Sequence, residues 1–322
     1  MVTLKDVAKR ANVSLSTASY SMNGSPLITN ETRQKVLTAA EEIGYRPNGM
    51  AKNLKTKKTN IIGLFLSGFT GPFFNDMVEG IQDVVMENGY ELVVCASVET
   101  HRLLVERYVD GAIILNYHME DQLLQTLANE KMPFVVMDRE IQNPYIKNIV
   151  LPNHEGAKMI VDYLVQKGHA RIGFVGGSEE SYDGETRLTG FVKALSKHGM
   201  MLEESDLIRA DFTEESGYTE MKAFMEMKSS IPSAFVCAND EMAMGAIRAA
   251  RENGIKVPEE LAITGFDDIF VSRHFTPSLT TVKVPRKEWG TIAAQTLFKM
   301  LNKDFDYTPE GLKVELMTRN SG

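Results

Sequence analysis

TLKDVAKRANVSLSTASYSMNG, residues 3–24, decides how this chain begins. Leu4, Val7, Ala8 and Ala11 stand at i, i+3, i+4 and i+7, the apolar stripe of one helix. Thr3 occupies an N-cap position, and Asp6 lies in the first turn, where the helix dipole favours an acid. The pattern breaks at Asn12-Val13, and Ser14 caps a second helix over residues 15–22 that ends at Asn23-Gly24. This helix carries Ser16, Thr17, Ser19 and Tyr20, an unusually small and polar surface. Working outward, residues 30–43 form a third helix, capped by Thr29, packed through Val36, Ala39, Ala40 and Ile43, and stopped by Gly44. Three short helices with a tight turn between the first two predict a helix-turn-helix. Its second helix is short and polar because it lies in the major groove and offers donors to base edges. On spacing alone, a generic small helical bundle fits as well.

The charge supports a separate partner for this head. Residues 1–60 hold ten Lys/Arg against four Asp/Glu, and the rest of the 322 residues hold 25 against 39, for a net charge of -8 overall. A basic head on an acidic body points to a polyanion that only the head touches. The length allows two or more folded units. No apolar run approaches the roughly 18 residues of a membrane span, and no leader-like stretch opens the chain, so a cytoplasmic location without membrane contact is expected. Cys95 and Cys237, the two cysteines, lie inside apolar runs and read as buried, reduced thiols, which excludes a disulfide scaffold.

Residues 47–60 join head to body. NGMAKNLKTKKT contains Gly49 and crowded like charges, so it is a marginal helix or a disordered basic linker. From Ile61 onward, apolar strands alternate with amphipathic helices: IIGLFLS, YELVVCAS, GAIILNY, FVVMD and NIVL, then RIGFVGG, AFVCAND and LAITGFD. Helices begin near Phe73, Met119, His154, Gly184, Glu215, Asp240 and Pro285. Continuous apolar strands with crossover helices predict parallel sheets covered on both faces, and eight of them divide into two doubly wound lobes. The fold class is therefore α/β with a helical head.

Ligands of doubly wound sheets sit beyond the carboxyl ends of the strands. Those ends carry Asp138, Asn239, Asp240, Asp267 and Asp268, with Arg187 in a following helix and Phe73, Phe74 and Phe212 in loops before helices. Carboxylates, an amide and a guanidinium fork can bind neighbouring hydroxyls while rings cover C–H faces, which suits a carbohydrate; each Asp also fits as a cap or turn former. Asp240 reads as the cap of EMAMGAIRAA. Asp138 and Asp267 could form an acid/base pair, but no Walker A, GxSxG, HExxH or spaced dinucleotide fingerprint occurs, and the six histidines are scattered without metal-ligand spacing. An enzyme, a metal centre and a resident cofactor are not expected. A transport-type binding protein would fit the body but not the head.

TLKDVAKRANVSLSTAS, together with ITNETRQKVLTAAEEIGYRPN and MAKNLKTKKTNIIGL, closely resembles the lactose repressor/galactose repressor family of bacterial transcription regulators. The resemblance runs along nearly the whole chain. It implies a repressor of carbohydrate-utilisation genes, controlled by a sugar-like effector held between two lobes of periplasmic-binding type, and acting as a homodimer on a near-palindromic operator. The implied organisation is a head over 1–46, a hinge over 47–60, and a body over 61–322. Within the body, the N-lobe takes about 61–151 plus 285–305 and the C-lobe about 152–284 plus 306–322, with crossovers near Pro152 and Pro285. No leucine heptad closes the chain, so a dimer is expected over a tetramer.

The same resemblance implies site residues. Leu15 and Ser16 open the recognition helix and Tyr20 faces bases, in a place where the family commonly has Arg, so the usual operator is not carried over. Thr3, Ser14, Thr17, Ser19, Asn23 and Thr29 look like phosphate contacts, which set register. Ala51, Leu54 and Lys55 match the hinge helix that wedges a leucine into the minor groove. Asp138, Arg187, Asn239 and Asp267 fall on effector-binding positions, and Phe73 and Phe212 on positions that often touch the ligand. Arg139 and Arg286 are surplus guanidiniums beside the pocket that could select an anion. Pairing with acids such as Glu140 and Glu288 leaves a neutral mono- or disaccharide as the expected effector. Trp289 fits either the pocket or helix packing, and the short stretch from Val98 to Tyr108 departs from the family's longer helix.

Overall fold

The computed structural model describes residues 2–47, 53, 57–69, 71–96, 101–227 and 230–322. The chain forms two compact units, Met1–Thr59 and Asn60–Gly322. In the first, helices α1 (Leu4–Arg10), α2 (Leu15–Met22) and α3 (Asn30–Glu42) close around Val7, Ala8, Ala11, Ala18, Val36, Ala39 and Ala40. Small side chains let three short helices approach closely enough to exclude water. Asn12 turns the chain between α1 and α2 at φ 51°, a left-handed conformation that Asn tolerates better than most residues. Ser14 then caps α2, its Oγ accepting from Thr17 N–H at 3.0 Å.

The second unit contains two sheets. Strands β1 (Ile61–Leu66), β2 (Glu91–Cys95), β3 (Gly111–Leu115), β4 (Phe134–Val136) and β5 (Ile146–Asn148) form a parallel sheet in the order β2-β1-β3-β4-β5. Strands β6 (Ile172–Gly176), β7 (Leu207–Arg209), β8 (Ala234–Cys237), β9 (Ala262–Asp267), β10 (Thr280–Lys283) and β11 (Glu315–Met317) form the other, in the order β11-β10-β9-β8-β6-β7, with only β11 antiparallel. Fully buried strands such as β3 and β9 have no polar face because helices cover both sides.

The helices of this unit are α4 (Phe74–Glu87), α5 (Arg102–Val105), α6 (Asp121–Leu127), α7 (Asn153–Gln166), α8 (Tyr182–Lys197), α9 (Glu214–Met227), α10 (Asp240–Glu252) and α11 (Arg286–Leu301). They pack in pairs, α7 with α8, α9 with α10, and α4 with α11. The last pairing is topologically informative. The α11 helix follows a strand of the C-lobe yet rests on α4, β3 and β4 of the N-lobe, and β11 then returns to the C-lobe sheet. Pro152 and Pro285 are the N-cap residues of α7 and α11. No helix among the described residues is long and apolar enough to cross a membrane.

Several expectations need correction. The three strands β7, β10 and β11 were not expected. Each has three or four residues, mixed in polarity, and takes its form from the neighbouring strand. Strand β5 ends at Asn148, so NIVL is mostly the start of a crossover whose Ile149 and Leu151 are buried. Asn239, not Asp240, caps α10, its side chain accepting from Met242 N–H at 2.9 Å. Asp240 is wholly buried and accepts from Ile269 N–H at 2.9 Å, Ser272 Oγ at 2.5 Å and Thr281 Oγ1. Cys237 is buried, and desolvation pushes its thiol up, but Cys95 is only partly covered. Trp289 is fully buried in helix packing and donates Nε1–H to Ile149 O at 2.6 Å. The short stretch before β3 contains α5, whose Leu104 is buried.

Candidate functional site

The head presents one face of α2 to solvent. Ala18 and Ser21 point inward, which leaves Leu15, Ser16 and Tyr20 exposed together, with Thr17 and Ser19 at the margins. Leu15 is 45% exposed and Tyr20 48%, large side chains that packing within the head does not use. The smaller polar residues also have local work. Thr3 donates N–H and Oγ1–H to Asp6 at 2.8 and 2.7 Å, and this holds the Asp6 carboxyl below its ordinary value. Ser14 Oγ lies 2.9 Å from Ser16 Oγ and 2.8 Å from Thr17 Oγ1. Asn23 donates to Ser19 O at 2.8 Å, and Thr29 caps α3. A hydroxyl-lined helix N-terminus is suited to phosphate oxygens, and the outward face is suited to base edges. Ala51, Leu54 and Lys55 lie outside the described residues.

In the body, a cleft of about 280 Å³ opens between the two sheets at the carboxyl ends of their strands. Phe73, Phe74, Asp138, Arg187, Phe212, Asn239 and Asp267 all line it. Four of these come directly from strand ends or the turn that follows, because a doubly wound sheet delivers the residue after each strand to one rim. Arg187 reaches the cleft from α8. Its Nε donates to Asn153 Oδ1 at 2.9 Å, Nη1 to Ala238 O at 2.6 Å, and Nη2 lies 3.3 Å from Asp267 Oδ1. Its Cζ stacks 3.9 Å from the Phe266 ring centroid, so the guanidinium is fixed on several sides.

Three residues at this rim hold a positive φ. Asp267 has φ 114°, Asp268 φ 51° and Phe212 φ 71°, each in the left-handed half of conformational space that non-glycine residues avoid. Gly177 makes room for the Phe212 ring: a Cβ there would lie 2.1 Å from it. Asn239 offers little freedom, since its Nδ2 donates to Phe212 O at 2.8 Å while its Oδ1 caps α10.

The carboxylates crowd one another. Burial pushes Asp138 up to about 7, with nearby Asp183 adding to the shift and Arg139 opposing it. Burial pushes Asp267 up to about 6 against the pull of Arg187 and Arg286. Asp183 is also raised, chiefly by burial, and accepts from Asn153 Nδ2 at 2.6 Å. Asp138 Oδ2 is buried and accepts no hydrogen bond, and Asp267 Oδ1 is buried with only the 3.3 Å contact from Arg187 Nη2.

Arg139 and Arg286, expected among the effector contacts, do not line the cleft. The partners of both are also different from those expected. Arg139 Nε binds Asp121 at 2.6 Å, its Nη1 binds Asp138 Oδ1 at 2.9 Å and Asn116 O at 3.2 Å, and its Nη2 reaches Met119 O. Arg286 turns to Asp76 and to backbone oxygens behind the cleft. Glu140 and Glu288 are exposed instead. Conversely, Asp183, Tyr117 and Glu241 line the cleft but were not singled out in the sequence. Asp183 precedes Arg187 by four residues on one helix, a spacing that places both on one face, so its signal was present.

The similarities to known proteins follow the same division. Residues 3–48 match the family model for bacterial regulatory proteins of the lacI family, and residues 161–321 match the periplasmic binding protein-like domain. The chain is 36% identical over 310 residues to the HTH-type transcriptional repressor PurR of Erwinia tasmaniensis, covering 94% of this chain and 89% of that one. The chain belongs to the lacI family. As a member it is a DNA-binding transcriptional regulator and not an enzyme. Among solved structures, the lac repressor dimer bound to operator and the anti-inducer ONPF aligns with a TM-score of 0.86 at 29% identity, covering 99% of this chain and 98% of that one. The complex of the transcriptional regulator CelR with cellobiose aligns with a TM-score of 0.74 at 30% identity over the full length of both.

Proposed function

We propose that this lacI-family chain represses carbohydrate-utilisation genes and that a small neutral sugar in the interlobe cleft controls its hold on DNA. The observation that carries the ligand class is the surplus of acceptors in the cleft. Asp138 Oδ2 accepts no hydrogen bond and Asp267 Oδ1 has only its 3.3 Å ion-pair contact with Arg187, the Asn239 amide and much of the Arg187 fork are already engaged, and both remaining arginines face elsewhere. A polyol supplies hydroxyl donors to such oxygens, whereas a phosphate or carboxylate brings negative charge to carboxylates that already repel one another. Phe73, Phe74 and Phe212 supply the ring surfaces that cover C–H faces of a sugar. The likeness to a cellobiose-bound regulator supports the same class. Asp183 and Tyr117 join the effector contacts in this reading, and Arg139 and Arg286 leave them.

On DNA, Leu15, Ser16 and Tyr20 face bases, and Thr3, Ser14, Thr17, Ser19, Asn23 and Thr29 hold phosphates. Ala51, Leu54 and Lys55 form the minor-groove hinge. One short recognition helix reads too few base pairs, so two copies bind a near-palindromic site as a homodimer. The likeness to an operator-bound repressor dimer supports this. The test is a thermal-shift panel of neutral mono- and disaccharides, cellobiose included, against their phosphates. A neutral sugar should raise the melting midpoint, because ligand at 100 times Kd stabilises the folded state by about 2.7 kcal/mol. Stabilisation by a phosphate and by no neutral sugar would overturn the ligand class. Operator retention with and without that sugar then gives the direction of control.

A further inference from the structure

Arg286 is a buried charge, at 6% exposure, and it does not line the cleft. Its contacts join two walls. Toward the C-lobe, Nη1 donates to Asp267 O, and Nη2 lies 3.3 Å from Asp268 O, at two consecutive residues of positive φ, the last of β9 and the one that follows it. Toward the N-lobe, Nη2 lies 3.2 Å from Asp76 Oδ2 in the first turn of α4, and Cζ lies 5.9 Å from the centroid of the Phe73 ring. Phe73 and Asp267 both line the cleft, one on each side. One guanidinium therefore holds a ligand-facing aromatic ring and the backbone of a ligand-facing carboxylate at the same time.

We propose that Arg286 is a positioning residue, a strut that fixes the strained Asp267–Asp268 turn to the start of α4 and so couples the two walls of the cleft. Its functional meaning rests on the effector reading above, but the strut itself is tested without any sugar. A planar fork with several donors suits the task, because a lysine in its place offers one point charge to acceptors that lie in different directions. If Asp267 shifts on a ligand, the displacement is passed through the fork to Asp76 and Phe73, and thence to α4. A buried guanidinium must be paired, so the strut cannot simply let go on one side without a cost.

The single tryptophan provides the reading. Trp289 stands one turn after Arg286, fully buried, with its ring 6.2 Å from Phe73 in an edge-to-face arrangement. Acrylamide quenching of Trp289 should be measured in the full chain, in the absence of sugar, for wild type, Arg286→Lys, Asp76→Asn, the double variant and Lys287→Ala. Asp76 is 56% exposed in its side chain, so Asp76→Asn leaves the core intact. Lys287 ties α11 to Glu79 and Asp83 of α4 without reaching β9, and serves as the control. We expect Arg286→Lys and Asp76→Asn each to raise the quenching constant about twofold, the double variant to add little more, and Lys287→Ala to leave it unchanged. Circular dichroism should stay native in all four. Unchanged quenching in folded Asp76→Asn and Arg286→Lys, strictly additive effects, or an equal rise in Lys287→Ala would overturn the strut. Those results would leave the sugar panel untouched, so the two readings fail separately.

Discussion

The cleft carboxyls Asp138 and Asp267 sit in surroundings far from water. An acid held up to about 7, as Asp138 is, or to about 6, as Asp267 is, keeps its proton in the folded chain after the unfolded chain has lost it. Below the unfolded value of 3.8 both states are protonated and the group contributes nothing. As pH rises from there toward 6 to 7, the native state binds more protons than the unfolded one, and stability falls by about 1.4 kcal/mol per pH unit for each such carboxyl. Asp138→Asn should remove one of these slopes, so its urea midpoints at pH 5 and pH 8 should lie closer together than those of the wild type. An unaltered gap would mean that Asp138 ionises normally. Sugar hydroxyls donate best to the ionised form, so affinity should rise over the same interval. Asp183→Ala, tested by calorimetry with the sugar found in the panel, should cost about 1 to 3 kcal/mol in binding, since it removes an acceptor and leaves ligand donors unpaired.

Among the elements, the α4/α11 pair is held close by glycine. A Cβ at Gly80 would lie 2.1 Å from Lys287 O, and one at Gly290 would lie 2.1 Å from Met77 O, so each helix seats its backbone on the other. Gly80→Ala must push two packed backbones apart and should lower stability by about 1 to 3 kcal/mol, read from the denaturant midpoint. A gain in stability, the usual result of Gly→Ala in an open helix, would show that the helices can separate freely. In the head, Ser14→Ala removes the cap of α2 and should destabilise that helix by about 1 kcal/mol. Tyr20→Ala lies on the exposed face and should leave the melting of the head unchanged while altering which operators it retains. Operator selection from a random duplex pool distinguishes the two variants.

For the whole molecule, charge and architecture divide the work. A fragment of residues 60–322, one of the two compact units, should keep any sugar-dependent rise in melting temperature and lose operator retention. In the full chain, DNA binding should weaken steeply with salt, because residues 1–60 carry ten cations against four acids and each phosphate contact releases counterions. A plot of affinity against salt with a slope near zero would argue against phosphate contacts by the head.

Much of this organisation is local and therefore legible in the residues. Caps such as Ser14 and Thr29, the apolar stripe of Leu4 to Ala11, and the continuous apolar strands act over a few residues, so their geometry follows from neighbours along the chain. The rule that strand ends meet at one rim brought Asp138, Asn239 and Asp267 forward, with Arg187 in a following helix, and the family resemblance marked the four as effector-binding positions. What the folded molecule alone decided depends on partners distant in sequence. Arg286 is oriented by Asp76, 210 residues away, and Arg139 by Asp121, 18 away, so both point away from the cleft. Strands β7, β10 and β11 are too short to carry a periodicity and exist because β6 and β9 offer a ladder, directly or through β10. The charge of the cleft was undetermined for the same reason: a carboxylate or a guanidinium in a sequence has no sign of where it points, and only packing assigns it to the ligand or to the wall behind.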